Sequence, residues 1–309
     1  MNAIETQLAA AAEVRRDAIA GFCSRLIQIP SVNGVDDEVN LAQAIADEAR
    51  ALGLAAELAG ADVQRPNVII SAGMGATTGL LLLGHLDTVP AGDPTRWSWP
   101  PFGGVIGEGR VHGRGAIDTK GGMAAALYAL AILQAVPDAL PGGRAQLICV
   151  PDEESGATGT LGIRWLYDHG RLNAGGAIYA YSGDQITLGH RGLVRYRLEC
   201  HGQAIHTGAA EWQAGTAGAN AVTGMARLLI ALEDLRFDMS TSPYFEAYRT
   251  LVTPGTVISG GVAINIVPDQ CEALIDIRLT PEYDRAQIEQ VLGELGRVPH
   301  VVGVSDPFQ

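Results

Sequence analysis

Leu80-Leu-Leu-Leu-Gly-His85-Leu-Asp87 runs four leucines straight into a histidine and an aspartate. An apolar run this short, bounded by glycine, reads as a buried strand. Alternation along a strand puts His85 and Asp87 on the same side, two residues apart. Residues 67–72, 145–150 and 177–181 are further short apolar runs of this kind. Helical spacing of apolar positions marks residues 5–29, stopping at Pro30, and 39–52, stopping at Gly53. An Ala/Leu-rich stretch over 123–136 and a segment over 160–169 complete the helices of this part. Strands alternating with helices predict an α/β layer fold with a mixed, largely parallel sheet flanked by helices.

The pattern changes near Leu188. Residues 193–200 alternate as a half-exposed strand, and 219–235 read as a helix. Residues 256–267 and 272–279 form an antiparallel pair, followed by a helix over 283–295 and a strand over 301–304. This β-α-β-β-α-β order predicts a ferredoxin-like α+β domain. The expected organisation is one domain over 1–187 and a second over 188–309.

Composition narrows the function. The chain has 309 residues, 47% hydrophobic and 18% charged, which is globular composition. A net charge of −13 argues against a nucleic-acid groove or an anionic membrane surface. It does not require a cationic substrate, because bound divalent metals would offset several charges locally. The apolar runs are expected to fall short of a membrane span, and the N-terminus lacks the pattern of a signal peptide. Cys23, Cys149, Cys200 and Cys271 sit apart in apolar surroundings and read as reduced, buried thiols, consistent with a cytoplasmic protein.

Three short segments carry the chemistry. His85 at the carboxyl end of a strand can bind metal, with a carboxylate holding its other ring nitrogen; alternatively His85 and Asp87 only bond loop backbone. Asp118, in Gly113-Arg-Gly-Ala-Ile-Asp118-Thr-Lys-Gly-Gly, precedes a helix at a glycine-dense turn. It reads as a bridging carboxylate or as a plain N-cap. Glu153-Glu154 follow a strand end, where adjacent carboxylates repel unless a cation lies between them; solvated acids at a helix start are the other reading.

In this order and spacing, His85-x-Asp87, Gly113-Arg-Gly-x-x-Asp118-x-Lys-Gly and Glu153-Glu154 resemble the M20 metallopeptidases. The resemblance runs from Leu26-Ile-Gln-Ile-Pro-Ser-Val to Ser259-Gly-Gly-Val-Ala-Ile-Asn-Ile-Val-Pro-Asp and Ile275-Asp-Ile-Arg278. It implies a zinc-peptidase-like catalytic domain with a lid domain, and hydrolysis of the amide bond of an N-acyl amino acid or small peptide. Two Zn2+ ions per subunit are implied, with Co2+ or Mn2+ as substitutes. His85 would ligate one metal, Asp118 bridge both and Glu154 ligate the other. Asp87 would orient His85, and Glu153 would act as general base toward a metal-bridged hydroxide. A cis peptide after Asp118 is implied as well. In the second domain, His206 in Gly202-Gln-Ala-Ile-His206-Thr-Gly matches the histidine that polarises the substrate carbonyl across a homodimer. Asn265 and Arg278 match positions that hold the substrate's polar end. From the residues alone, His206 is an ordinary strand-end histidine and Arg278 equally a sheet-face ion-pair partner.

The pattern also departs from the family. Counting back from Gly189-His190-Arg191-Gly192 places Ala180 where relatives carry an acidic ligand, with Asp184 as its candidate replacement. The segment that returns to the catalytic domain with a further histidine is expected to be missing, and His300 is poorly placed to replace it. The alternative reading is a truncated or degenerate, non-catalytic member that dimerises or binds ligand.

Overall fold

A computed structural model of the protein describes residues 2–136, 138–154, 159–181 and 189–295, and the backbone of 301–305. The chain divides into two compact units, Met1–Asp184 and Gln185–Gln309.

In the first unit, the predicted N-terminal helix is two helices, α1 (Ala3–Val14) and α2 (Arg16–Ile27), separated at Arg15. Helix α3 (Val39–Ala51) leads into β1 (Ala55–Ala59), a half-exposed strand without an apolar run to announce it. Strands β2 (Asn67–Ala72) and β3 (Thr78–His85) follow, then a small hairpin of β4 (Val105–Gly107) and β5 (Arg110–His112). Helix α4 (Gly121–Ala135), β6 (Arg144–Val150), α5 (Ile163–Asp168) and β7 (Ala174–Tyr179) complete the unit.

The sheet order is β1-β2-β6-β3-β7. Strand β3 runs parallel to both β6 and β7, whereas β1–β2 and β2–β6 are antiparallel. The sheet is therefore mixed, and the expectation of a largely parallel one holds only for its β6-β3-β7 half.

Period-2 alternation decides the layers. Val68, Ile70, Leu82, Leu147 and Cys149 pack on one face against α2, α3 and α4. Ile69, Leu81, Ile148 and Val150 point the other way, onto Leu166 of α5. The connection leaving β3 thus crosses one face and that leaving β6 the other. Oppositely directed connections open a crevice at the carboxyl ends of neighbouring strands. His85 ends β3, and Glu153 and Glu154 follow the end of β6.

Residues Ala116–Ala135 are long and apolar enough to cross a membrane by length and composition, which corrects the expectation that every apolar run is too short. More than half of that stretch is covered by the fold, where α4 lies against the sheet as its central core helix.

The second unit contains β8 (Gly192–His201), a short α6 (Ala210–Gln213), α7 (Ala221–Glu233), β9 (Leu251–Gly260), β10 (Gln270–Leu279), α8 (Arg285–Leu295) and β11 (Val301–Ser305). Strand order β11-β8-β10-β9 is antiparallel throughout. Tyr196, Leu198, Cys271, Ala273, Ile275 and Ile277 face the core with Leu228 of α7 and Ile288 of α8. All four cysteines are free and buried.

One buried ion pair fixes the approach to the acidic loop. The Arg65 guanidinium donates to Glu38 Oε2 (2.7 Å) and Oε1 (3.0 Å), and also to the Pro151 carbonyl (2.9 Å). Glu38 is fully buried, so removing its partner strands a carboxylate in the interior. Arg65→Ala is expected to lower unfolding free energy by about 3–5 kcal/mol, with partial recovery in Arg65→Ala/Glu38→Leu. Urea denaturation checks this; a loss below about 1 kcal/mol would contradict it.

Candidate metal centre

His85 is almost fully buried at the end of β3. Its Nδ1 lies 2.7 Å from the Asp87 backbone carbonyl and 3.5 Å from the Asp87 carboxylate. The shorter contact governs the ring: a carbonyl oxygen only accepts, so Nδ1 carries a proton. In the neutral imidazole, Nε2 then presents its lone pair, and it faces Asp118 Oδ1 at 2.7 Å. Thr119 holds the strand end from the other side, accepting from the His85 amide (3.0 Å) and donating to its carbonyl (3.1 Å).

Asp118 sits in a turn whose helical φ/ψ is interrupted at Asp118 and Thr119, and the peptide between them is cis, as the resemblance implies. The next residue, Lys120, is fully buried and caps the end of α2 by donating to the Leu26 (3.0 Å) and Ile29 (2.7 Å) carbonyls. Burial lowers its pKa to about 8.

The Asp87 carboxylate does more than face His85. It accepts from the backbone amides of Glu153 (3.1 Å) and Glu154 (2.8 Å), and from the Asn33 side chain (2.7 Å). A buried carboxylate thereby fixes the loop on which both glutamates stand. Glu154 points into the cluster: His85, Asp118 and Glu154 each bring one ligand atom, all within 4.8 Å of one another. Glu153 remains exposed outside that group. The neighbouring side chains diverge, and only one joins the cluster.

The donor set fits a divalent cation. One imidazole nitrogen and two carboxylates suit zinc, and equally cobalt or manganese. Burial and the neighbouring charges shift the groups of this cluster. Burial, then the Asp118 charge, raises the Glu154 pKa above the usual carboxylate range. Burial opposes a charged His85, but its hydrogen bonds to Asp87 and Asp118 win and lift its pKa to about 9.

Asp184 and His300 lie outside the described residues. In the second unit, Ile266 forms a bridge with His206, and the Asn265 carbonyl accepts from the Thr207 amide (3.0 Å), so these two positions lie together. His206 Nδ1 accepts from the Gly208 amide (3.0 Å), leaving Nε2 to carry the ring's proton. Arg278 stands near the carboxyl end of β10. Its guanidinium donates to Asp276 (2.8 Å), which also pairs with Arg195 (3.0 Å).

Sequence reasoning missed Asn33, Arg65 and Tyr181. The Tyr181 hydroxyl donates to Asp118 Oδ2 at 3.0 Å. The aromatic alternation Tyr179-Ala-Tyr181 was its available signal; Asn33 and Arg65 lie in loops without any periodic mark.

The sequence model of Peptidase family M20/M25/M40 matches residues 81–301. A succinyl-diaminopimelate desuccinylase of Methylobacterium nodulans is 36% identical over 69% of this chain and 54% of its own length. One of Paracoccus denitrificans is 30% identical over 82% of this chain and 68% of its own. The chain thus spans about half the length of the first of these relatives. Among solved structures, an M20 family metallo-carboxypeptidase from Sulfolobus solfataricus superposes with a TM-score of 0.68 at 18% identity, over 91% of this chain and 76% of that one.

Because His85 holds its proton up to about 9, cation binding at pH 7 is expected to release roughly one proton at this residue. Apparent affinity should fall about tenfold per pH unit below that value. Calorimetric titration with Zn2+ in buffers of different ionisation enthalpy reads the proton count; affinity independent of pH between 6 and 8, roughly, would contradict the assignment.

Proposed function

Because the chain belongs to the M20/M25/M40 peptidase family, we propose that it is a metal-dependent amidohydrolase. Its substrate class is an N-acyl amino acid or small peptide. The observation that carries this reading is the convergence of His85, Asp118 and Glu154 within 4.8 Å at the strand ends. The relatives named as desuccinylases and the metallo-carboxypeptidase support the same reaction class. Two zinc ions are the proposed complement, with His85, Asp118 and Glu154 as ligands.

When bound, such cations polarise the amide carbonyl and make water nucleophilic near neutral pH. The chain supplies the proton chemistry. Glu153, exposed beside the cluster, takes a proton from the attacking water. As the C–N bond breaks, that proton passes to the leaving nitrogen, and the acyl carbon keeps the water's oxygen. Asp87 contributes by position: its carboxylate holds the amides of both glutamates, so base and ligand keep their separation. His206, with its proton on Nε2, is a suitable donor to the developing oxyanion, and in this proposal it acts within a homodimer. Asn265 is proposed to hold the substrate's polar end. For Arg278 the same role requires it to leave Asp276.

A non-catalytic, ligand-binding member is the second reading, favoured by Ala180, whose side chain offers no donor atom at the position where the resemblance expects an acidic ligand. Glu153→Gln separates the two. We expect kcat on a panel of N-acyl amino acids to fall at least about 10²-fold with metal content unchanged. Metal binding with no hydrolysis by the wild-type chain would favour the second reading.

A further inference from the structure

Both oxygens of Asp118 have partners. Oδ1 meets His85 Nε2 at 2.7 Å, and Oδ2 accepts the Tyr181 hydroxyl at 3.0 Å. A carboxylate that bridges two cations offers one oxygen to each, so the phenol stands on the oxygen that a second cation needs. The site proposed above is therefore asymmetric before any metal arrives.

Tyr181 is held there by more than this one bond. The Ala180 amide still donates to the Leu83 carbonyl (2.6 Å), which keeps the chain in sheet register past the end of β7. The Tyr181 amide then bonds back to the Tyr179 carbonyl (2.8 Å), a tight three-residue turn about Ala180. The Ala180 carbonyl lies against Gly122 at the start of α4, where no side chain would fit. Side chains extend the arrangement: Tyr179 stacks on His85 (6.5 Å between centroids, 23°) and on Tyr181 (5.9 Å, 21°). His85, Tyr179 and Tyr181 thus form one aromatic row, and its last member reaches Asp118.

We propose that Tyr181 is a positioning residue that makes the two cation seats unequal. The seat at His85 Nε2 and Asp118 Oδ1 fills first, and the seat at Asp118 Oδ2 is weakened by competition with the phenol. This rests on the metal-site reading above. Hydrogen bonds to a charged acceptor are worth enough for the second dissociation constant to change by about ten- to a hundredfold.

The test is a titration of the full chain with Zn2+, stoichiometry read by equilibrium dialysis and affinities by calorimetry, for wild type and Tyr181→Phe. Tyr181 is 52% exposed, so loss of its hydroxyl leaves the packed core untouched. Wild type is expected to bind one equivalent tightly and a second at least about tenfold more weakly. Tyr181→Phe should leave the first affinity within a fewfold and tighten the second about tenfold or more. The unchanged first affinity also reports that the variant is folded. Two equal equivalents in wild type, or an unaltered second affinity in Tyr181→Phe, overturns the proposal while leaving the hydrolase reading standing. A wild-type chain that binds no Zn2+ overturns both.

Discussion

The site depends on a single buried carboxylate. Asp87 is fully enclosed, and burying an ionised carboxyl is costly unless every lone pair finds a donor. Its donors come from far apart in the chain: Asn33 from the loop before α3, and the amides of Glu153 and Glu154 from the loop after β6. Its own backbone carbonyl takes the His85 Nδ1 proton. One residue therefore sets the histidine tautomer and the position of both glutamates. Each such charge-assisted bond is worth about 1.5–3 kcal/mol, enough to keep two like-charged side chains on adjacent residues beside a third.

The fold explains why these segments meet. Helix α4 covers one face of the sheet and α5 the other, so the chain leaves β3 and β6 in opposite directions and parts above them. The space between is where His85, Asp118 and Glu154 converge. Asp118 arrives from the turn before α4, whose buried Lys120 anchors it to the end of α2. Arg65 braces the far side, tying Glu38 to the Pro151 carbonyl just ahead of the acidic pair.

Much of this was legible in the residues. Four leucines ending in His-x-Asp announced a buried strand with a polar tip, and the Ala/Leu-rich helix with the second apolar strand gave the parallel half of the sheet. Strand β1 left no trace because Ala55 and Glu57 are exposed and Ala56 and Leu58 only partly buried against the core, so no run of large apolar residues marks it. The break at Arg15 was hidden because helical spacing continues across it. Residues of the centre were readable where chemistry forces a type, as for His85 and the acidic pair. The supports were not. Asn33 and Arg65 act through a hydrogen-bond geometry that only tertiary contact creates, and Tyr181 reads only as the last residue of the run over 177–181 until its hydroxyl is seen on Asp118. For Arg278 the residues left two readings open, and the observed contact is the ion pair with Asp276.

His85, Asp118 and Glu154 are proposed to hold the catalytic cations. Anomalous scattering at the zinc edge from crystals of the Zn2+-loaded chain tests this most directly. The expected result is a peak bonded to His85 Nε2 and one Asp118 carboxylate oxygen, with the second site between Asp118 and Glu154, each at roughly 2.0–2.2 Å. Zinc bound elsewhere on the chain, or ligated by a cysteine sulfur, would contradict it.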